Sequence, residues 1–139
     1  MLKRRYSVAR RIAAQLLSSY LLIWAPGTFA VELLTVLPSM NMRGLPAWIE
    51  LGVHGVVAMV CAVAGRMLRI GTPAASALAL SGVLARAAIA IQSLFWTTLP
   101  QDVAPGTRGY LAALACINAL VWLGVLYWSR ESQRLASGS

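Results

Sequence analysis

The sequence predicts an all-α polytopic membrane protein, an antiparallel bundle of four transmembrane helices, and three observations predict it. The first is composition. Of 139 residues, 59% are hydrophobic and 12% are charged, and the mean hydropathy is +0.71. An average soluble domain is roughly 45–50% apolar and about 25% charged, so this chain has too little charge to cover a water-facing surface. The second is length: four apolar segments each approach the ~20 residues needed to span a bilayer core. The third is the joints, "PSMNMRGLP", "RIGTP" and "TTLPQDVAPGTRG". They are short and rich in Gly, Pro, Asn and Asp, which breaks helices and forces consecutive spans to run antiparallel. A closed barrel would also satisfy its backbone in lipid, but it needs strands alternating at period two, and no segment alternates that way.

The elements follow in order. Residues 1–11 form a basic tail, "MLKRRYSVARR". The first span covers about residues 12–37 and contains Pro26 and Gly27. The second covers about 47–68, the third 73–96 and the fourth 110–128, and residues 129–139 form a polar C-terminal tail. The basic head, apolar middle and Ala30 also resemble a cleavable signal peptide. Thr28 suits that cleavage poorly, and the apolar run continues through "VELLTVL", so the segment is read as a retained span.

Orientation is read from Lys and Arg in the flanks. The N-terminal tail carries Lys3, Arg4, Arg5, Arg10 and Arg11, the second joint Arg66 and Arg69, and the C-terminal tail Arg130 and Arg134. Those nine share one side, against Arg43 and Arg108 on the other. Both termini are therefore expected in the cytoplasm, with the chain in the inner (plasma) membrane. Trp48, Trp96 and Tyr110 mark the outer boundary and Tyr127 and Trp128 the inner one, as interfacial aromatic belts do. The net charge of +8 follows from this flank pattern. No basic patch interleaved with aromatics on a polar fold points to nucleic acid. The partner expected first is the lipid bilayer, with a second copy or another membrane protein as further partners.

Four ionisable residues fall inside the spans: Glu32, Glu50, His54 and Arg86. Each costs ~2.5–3.5 kcal/mol on insertion scales, and such residues mark sites by default. At ~1.5 Å per residue, Glu32, Glu50 and His54 lie in the outer half and Arg86 near the midplane. Gln92 and Asn118 join the same layer from the third and fourth spans. Gln15, Ser18, Ala25, Thr28, Glu32 and Thr35 recur at helical spacing along the first span as one polar stripe. Ala75, Ala79, Gly82, Arg86, Ala90 and Ser93 form a small-residue stripe on the third, with Leu80, Leu84, Ile91 and Phe95 opposite. Small residues let helices approach closely in lipid, which turns Arg86 inward. Glu50 and His54, four residues apart, are expected to pair on one face, and Gly52 and Gly55 thin the helix beside them. With two carboxylates against one guanidinium and one imidazole, the cluster is expected to neutralise itself.

Other chemistry is weakly supported. Cys61 and Cys116 lie at different depths and are read as small apolar residues, not a disulfide. There is no G-x-S-x-G elbow, phosphate loop or dinucleotide fingerprint, so no catalytic residue is assigned. Cys61, seven residues from His54, is too distant to share an ion with it, and no metal site or cofactor is assigned. Two functions remain. One is a ligand-binding or transport module whose pocket is built from Glu32, Glu50, His54, Arg86, Gln92 and Asn118. The other is a non-catalytic accessory subunit packed against a larger membrane complex, with the same cluster serving only to tie its helices.

Overall fold

A computed structural model of the chain describes the backbone of residues 2–72, 74–99 and 105–137 and the side chains of residues 8–72, 74–99 and 109–128. It is all-helical. Among the described residues, four helical stretches are long and apolar enough to cross a membrane: Val8–Met42, Leu45–Ile70, Ala75–Phe95 and Gly109–Trp128.

The first stretch is not one regular helix. Helix α1 (Leu2–Ser19) runs into a π-helical turn over Tyr20–Trp24, then into α2 (Ala25–Val36) and a 3₁₀ turn over Leu37–Met42. Proline explains both irregularities. Pro26 has no N–H and its ring crowds the carbonyl four residues earlier. The preceding turn widens accordingly, and the Ala25 N–H reaches back to the Tyr20 carbonyl. Pro38 removes the next donor, and the chain tightens instead of continuing as α-helix.

Gly44 (φ 79°) ends this arm and α3 (Leu45–Ile70) begins with Pro46 in its first turn, where a missing N–H costs nothing. Gly71, left-handed at φ 82°, stops α3, and the Gly71 and Thr72 N–H groups donate to the Met67 carbonyl at 2.9 and 3.2 Å. Helix α4 (Ala75–Phe95) follows and ends where Trp96 turns extended. Helix α5 (Pro105–Ser137) opens on a proline. Its helical backbone continues well past Trp128. Arg, Glu, Gln, Leu and Ala there are good helix formers, and they carry the coil beyond the apolar span. The basic N-terminal tail is likewise helical from Leu2 onward.

Helix α3 is the hub, packed against α1, the π turn and α2 on one side and α4 on the other, while α4 packs on α5. The main core joins Leu17, Leu21, Ala25, Cys61, Ala64, Ala79, Val83, Ala119 and Leu126. A second, smaller core gathers Val36, Met40, Ala47, Leu51 and Leu99, with Phe29 and Leu33 against it. Close approach depends on small residues. A methyl group on Gly65 would lie 2.8 Å from Leu22 Cγ and 2.9 Å from the Ser18 carbonyl, and one on Gly82 would lie 2.9 Å from Cys61 Sγ. The Ser18 hydroxyl donates to the Gly65 carbonyl at 2.7 Å across this same contact. On α4, Ala75, Ala79 and Gly82 are buried while Leu84, Ile91 and Phe95 are exposed, as the stripes predict; Leu80 instead packs half-buried against the core. Cys61 and Cys116 are both free thiols.

Gly65→Ala should therefore destabilise the detergent-solubilised protein by ~1–3 kcal/mol, because backbone as well as side chain must move. Gly124→Ala, with nothing within 4 Å of the added methyl, should be neutral or stabilising by ~0.5–1 kcal/mol. Thermal unfolding of the two variants side by side checks this; equal effects would remove the packing argument.

Candidate functional site

The ionisable residues of the spans do not form a single cluster. They separate into three polar units, and the separation is set by which donors each carboxylate finds.

Glu50, near the start of α3, is 7% exposed and turns towards the segment that leaves α4. Its Oε1 accepts from the Thr97 hydroxyl at 2.8 Å, and its Oε2 accepts from the Thr98 N–H at 2.7 Å and from the Thr98 hydroxyl. Thr97 Oγ1 accepts in turn from the Leu99 N–H at 3.2 Å. The extended backbone at Trp96 releases these donors from the helix, and three donors to one carboxylate outcompete a single imidazole. Glu50 thus fastens the α4–α5 connection to α3. The expected pairing with His54 is not made.

His54, one turn deeper on α3, pairs across to α2. Its Nδ1 is hydrogen-bonded with Glu32 Oε1 at 2.8 Å, with 11% of the His54 and 32% of the Glu32 side chain exposed. Phe29, one turn before Glu32, lies over Gly55, where an added methyl would meet its Cζ at 3.0 Å. The space predicted beside His54 is therefore filled at Gly55 by an aromatic ring, whereas Gly52 has nothing within 4 Å.

Arg86, on α4, donates from Nη2 to the Thr28 hydroxyl at 3.0 Å. That hydroxyl donates onward to the carbonyls of Trp24 and Ala25 at 2.9 and 3.0 Å, so its acceptor lone pairs are left for the guanidinium. Among the described residues, Arg86 has no carboxylate within 4.0 Å; the ion pair within that distance is His54–Glu32. The expected neutral cluster is thus not formed around Arg86. Both carboxylates are engaged elsewhere, and a threonine faces the cation.

These units surround a cavity of about 600 Å³. Thr28, Glu32, His54, Arg86, Ser93, Thr97 and Asn118 supply its polar wall. Phe29, Val57, Val83, Ala87, Ile89 and Leu111 are among the apolar residues that complete it. The size falls within the ~300–1,000 Å³ of small-molecule sites, which are likewise mostly apolar with few polar groups. Asn118 lies on the wall while its Nδ2 donates to the Leu114 carbonyl of its own helix at 3.0 Å. Gln92 is exposed and stands outside the wall, and Glu50 supports the wall from behind through Thr97. Four of the six residues singled out from the sequence, Glu32, His54, Arg86 and Asn118, share the cavity. Thr28 and Thr97 were missed as site residues. Thr28 had a visible signal, four residues before Glu32 on the same polar stripe; Thr97 had none beyond its place in a turn-forming joint.

The chain matches no protein-family model, no curated protein and no solved structure.

Glu50→Ala should lower the melting temperature, at a cost of ~1 kcal/mol or more for leaving three part-buried donors of Thr97 and Thr98 without their acceptor, and should speed exchange of the Thr98 amide. Gln92→Ala, at an exposed position, should do neither. Equal stability of the two variants would show that Glu50 does not hold the connection.

Proposed function

We propose that the chain is a small multi-pass inner-membrane protein, with antiparallel spans and both termini in the cytoplasm, that binds a small amphiphile in its intramembrane cavity. The ligand class is an apolar body bearing one carboxylate or other anionic group. One observation carries this: a guanidinium lies on the wall of a mostly apolar cavity with a threonine, and no carboxylate among the described residues, as its partner. An unpaired cation in low dielectric attracts an anion far more strongly than in water, because no solvent screens it. Arg86 would hold the anionic group by two parallel hydrogen bonds, since its planar fork matches a carboxylate. Thr28 fixes one edge of that fork. The apolar wall would take the ligand's body, and the Glu32–His54 pair, on the same wall, would reject a second anion and admit a donor. Transport of such a ligand is the extension of binding that a cavity between spans permits. The nine basic residues on one set of flanks support the proposed orientation through the positive-inside rule.

The test uses short alkyl carboxylates below their micellar concentration, each against the alcohol of equal chain length, on protein in neutral nanodiscs. At a concentration of ~100 Kd, a specific ligand stabilises the folded state by ~2.7 kcal/mol. The carboxylate should raise the melting temperature of the wild type and the alcohol should not; Arg86→Gln should abolish the shift and Thr28→Val should weaken it. Equal shifts from alcohol and carboxylate, or a shift that survives Arg86→Gln, would overturn the assignment. No shift with any probe, together with stoichiometric co-purification of a larger membrane complex, would favour the accessory-subunit role.

A further inference from the structure

A second polar cleft lies at the opposite end of the first span, between α1 and the last turn of α3. Its volume is about 600 Å³, and Arg11, Ala14, Gln15, Ser19, Leu68 and Arg69 line it. We propose that this cleft is a phosphate site that takes the headgroup of an anionic phospholipid. The proposal rests on the proposed reading that these helices span a membrane with this end in the cytoplasm, and not on any ligand in the Arg86 cavity.

Three features argue for it. Among the described residues, the lining carries two guanidinium groups and no carboxylate. Arg11 and Arg69 come from different helices, so only the folded bundle brings them to one cleft. On α1, Arg11, Gln15 and Ser19 follow at four-residue steps, which stacks a cation, an amide and a hydroxyl on one face.

Arg69 is also held in place. Its Nε–H donates to the Ser18 hydroxyl at 3.0 Å and its Nη2 to the Ser19 hydroxyl at 3.3 Å. Ser18 is fully buried and anchored by its own bond to the Gly65 carbonyl at 2.7 Å. A guanidinium has five N–H donors, and these bonds use two of them. The remaining three are left for a ligand, and a guanidinium fixed in this way loses less entropy on meeting a phosphate than a free lysine does.

Ala14 and Leu68 give the cleft an apolar side, which suits a headgroup continuous with acyl chains better than a fully hydrated ion. Its place also fits. The cleft lies at the end of the bundle that carries the basic N-terminal residues, and anionic lipids concentrate in the cytoplasmic leaflet.

The experiment compares the full-length protein in phosphatidylcholine nanodiscs with and without phosphatidylglycerol, reading thermal stability and, by native mass spectrometry, retained lipid. Arg11→Gln is the main variant because Arg11 is exposed and its loss leaves the Ser18–Arg69 bond intact; Arg69→Gln is the second. Arg10→Gln, which removes the same charge from the same tail outside the cleft, is the control. Phosphatidylglycerol should stabilise the wild type and the Arg10→Gln protein alike. Arg11→Gln should retain the lipid about fivefold more weakly, the equivalent of ~1 kcal/mol for one basic residue at an anionic surface. Equal loss in Arg10→Gln and Arg11→Gln would reduce the effect to general charge and overturn the site. No stabilisation of the wild type would overturn it as well. Inorganic phosphate added to phosphatidylcholine nanodiscs forms the last arm: stabilisation there with the same dependence on Arg11 would replace the lipid by a soluble phosphate.

Discussion

Hydrocarbon offers no hydrogen bonds, so a polar group within a span depends on other groups of the protein for partners, and such partners are few. This scarcity organises the chain. Glu50 is met by three donors from Thr97 and Thr98, and Glu32 is met by His54. With both carboxylates of the spans committed, Arg86 receives a hydroxyl from Thr28. The bonds that settle the two acids are the same bonds that leave the cation without a carboxylate among the described residues.

The Thr28–Arg86 contact depends in turn on Pro26. By removing one N–H and crowding the preceding turn, the proline produces the π turn at Tyr20–Trp24, and an inserted residue rotates everything after it relative to α1. Tyr20 and Trp24 face the cavity from this turn, and the Thr28 hydroxyl closes onto the Trp24 carbonyl. Single-turn π segments in helices are frequent at functional sites. Tyr20 also packs against Trp122, with ring centroids 5.5 Å apart. The Trp122 indole N–H is buried without a hydrogen-bond partner among the described residues, so polar capacity next to the cavity exceeds what the helices themselves consume.

Much of the fold was legible because its signals are local. Hydropathy marked four apolar segments, and four helical stretches among the described residues are long and apolar enough to cross a membrane; the left-handed Gly71 and the first-turn Pro46 set the limits of α3 as turn chemistry requires. The small-residue face of α4 also read correctly, since Gly82 and Ala79 repeat at helical spacing. Partner choice did not read correctly, because it is a competition between groups distant in sequence. Glu50 and His54 are neighbours by spacing, yet Glu50 finds Thr98 48 positions away and His54 finds Glu32 22 positions away. Which side chain wins depends on donors released at the end of α4, and no spacing rule on α3 contains that information. Gln92 was misplaced for a related reason: amphiphilic side chains near a span's end can face outward at little cost.

Glue and site make opposite demands on Arg86, and one measurement separates them. A cation that ties helices together must be destabilising to remove, whereas a cation kept for a ligand burdens the empty protein. The deciding experiment is the unfolding free energy of Arg86→Met in neutral nanodiscs with no ligand added. Methionine keeps an unbranched apolar stem like that of arginine without its charged head, and the insertion cost of an uncompensated arginine is ~2.5–3.5 kcal/mol. The account predicts a variant at least as stable as the wild type. A loss of several kcal/mol would contradict it and make Arg86 a structural tie.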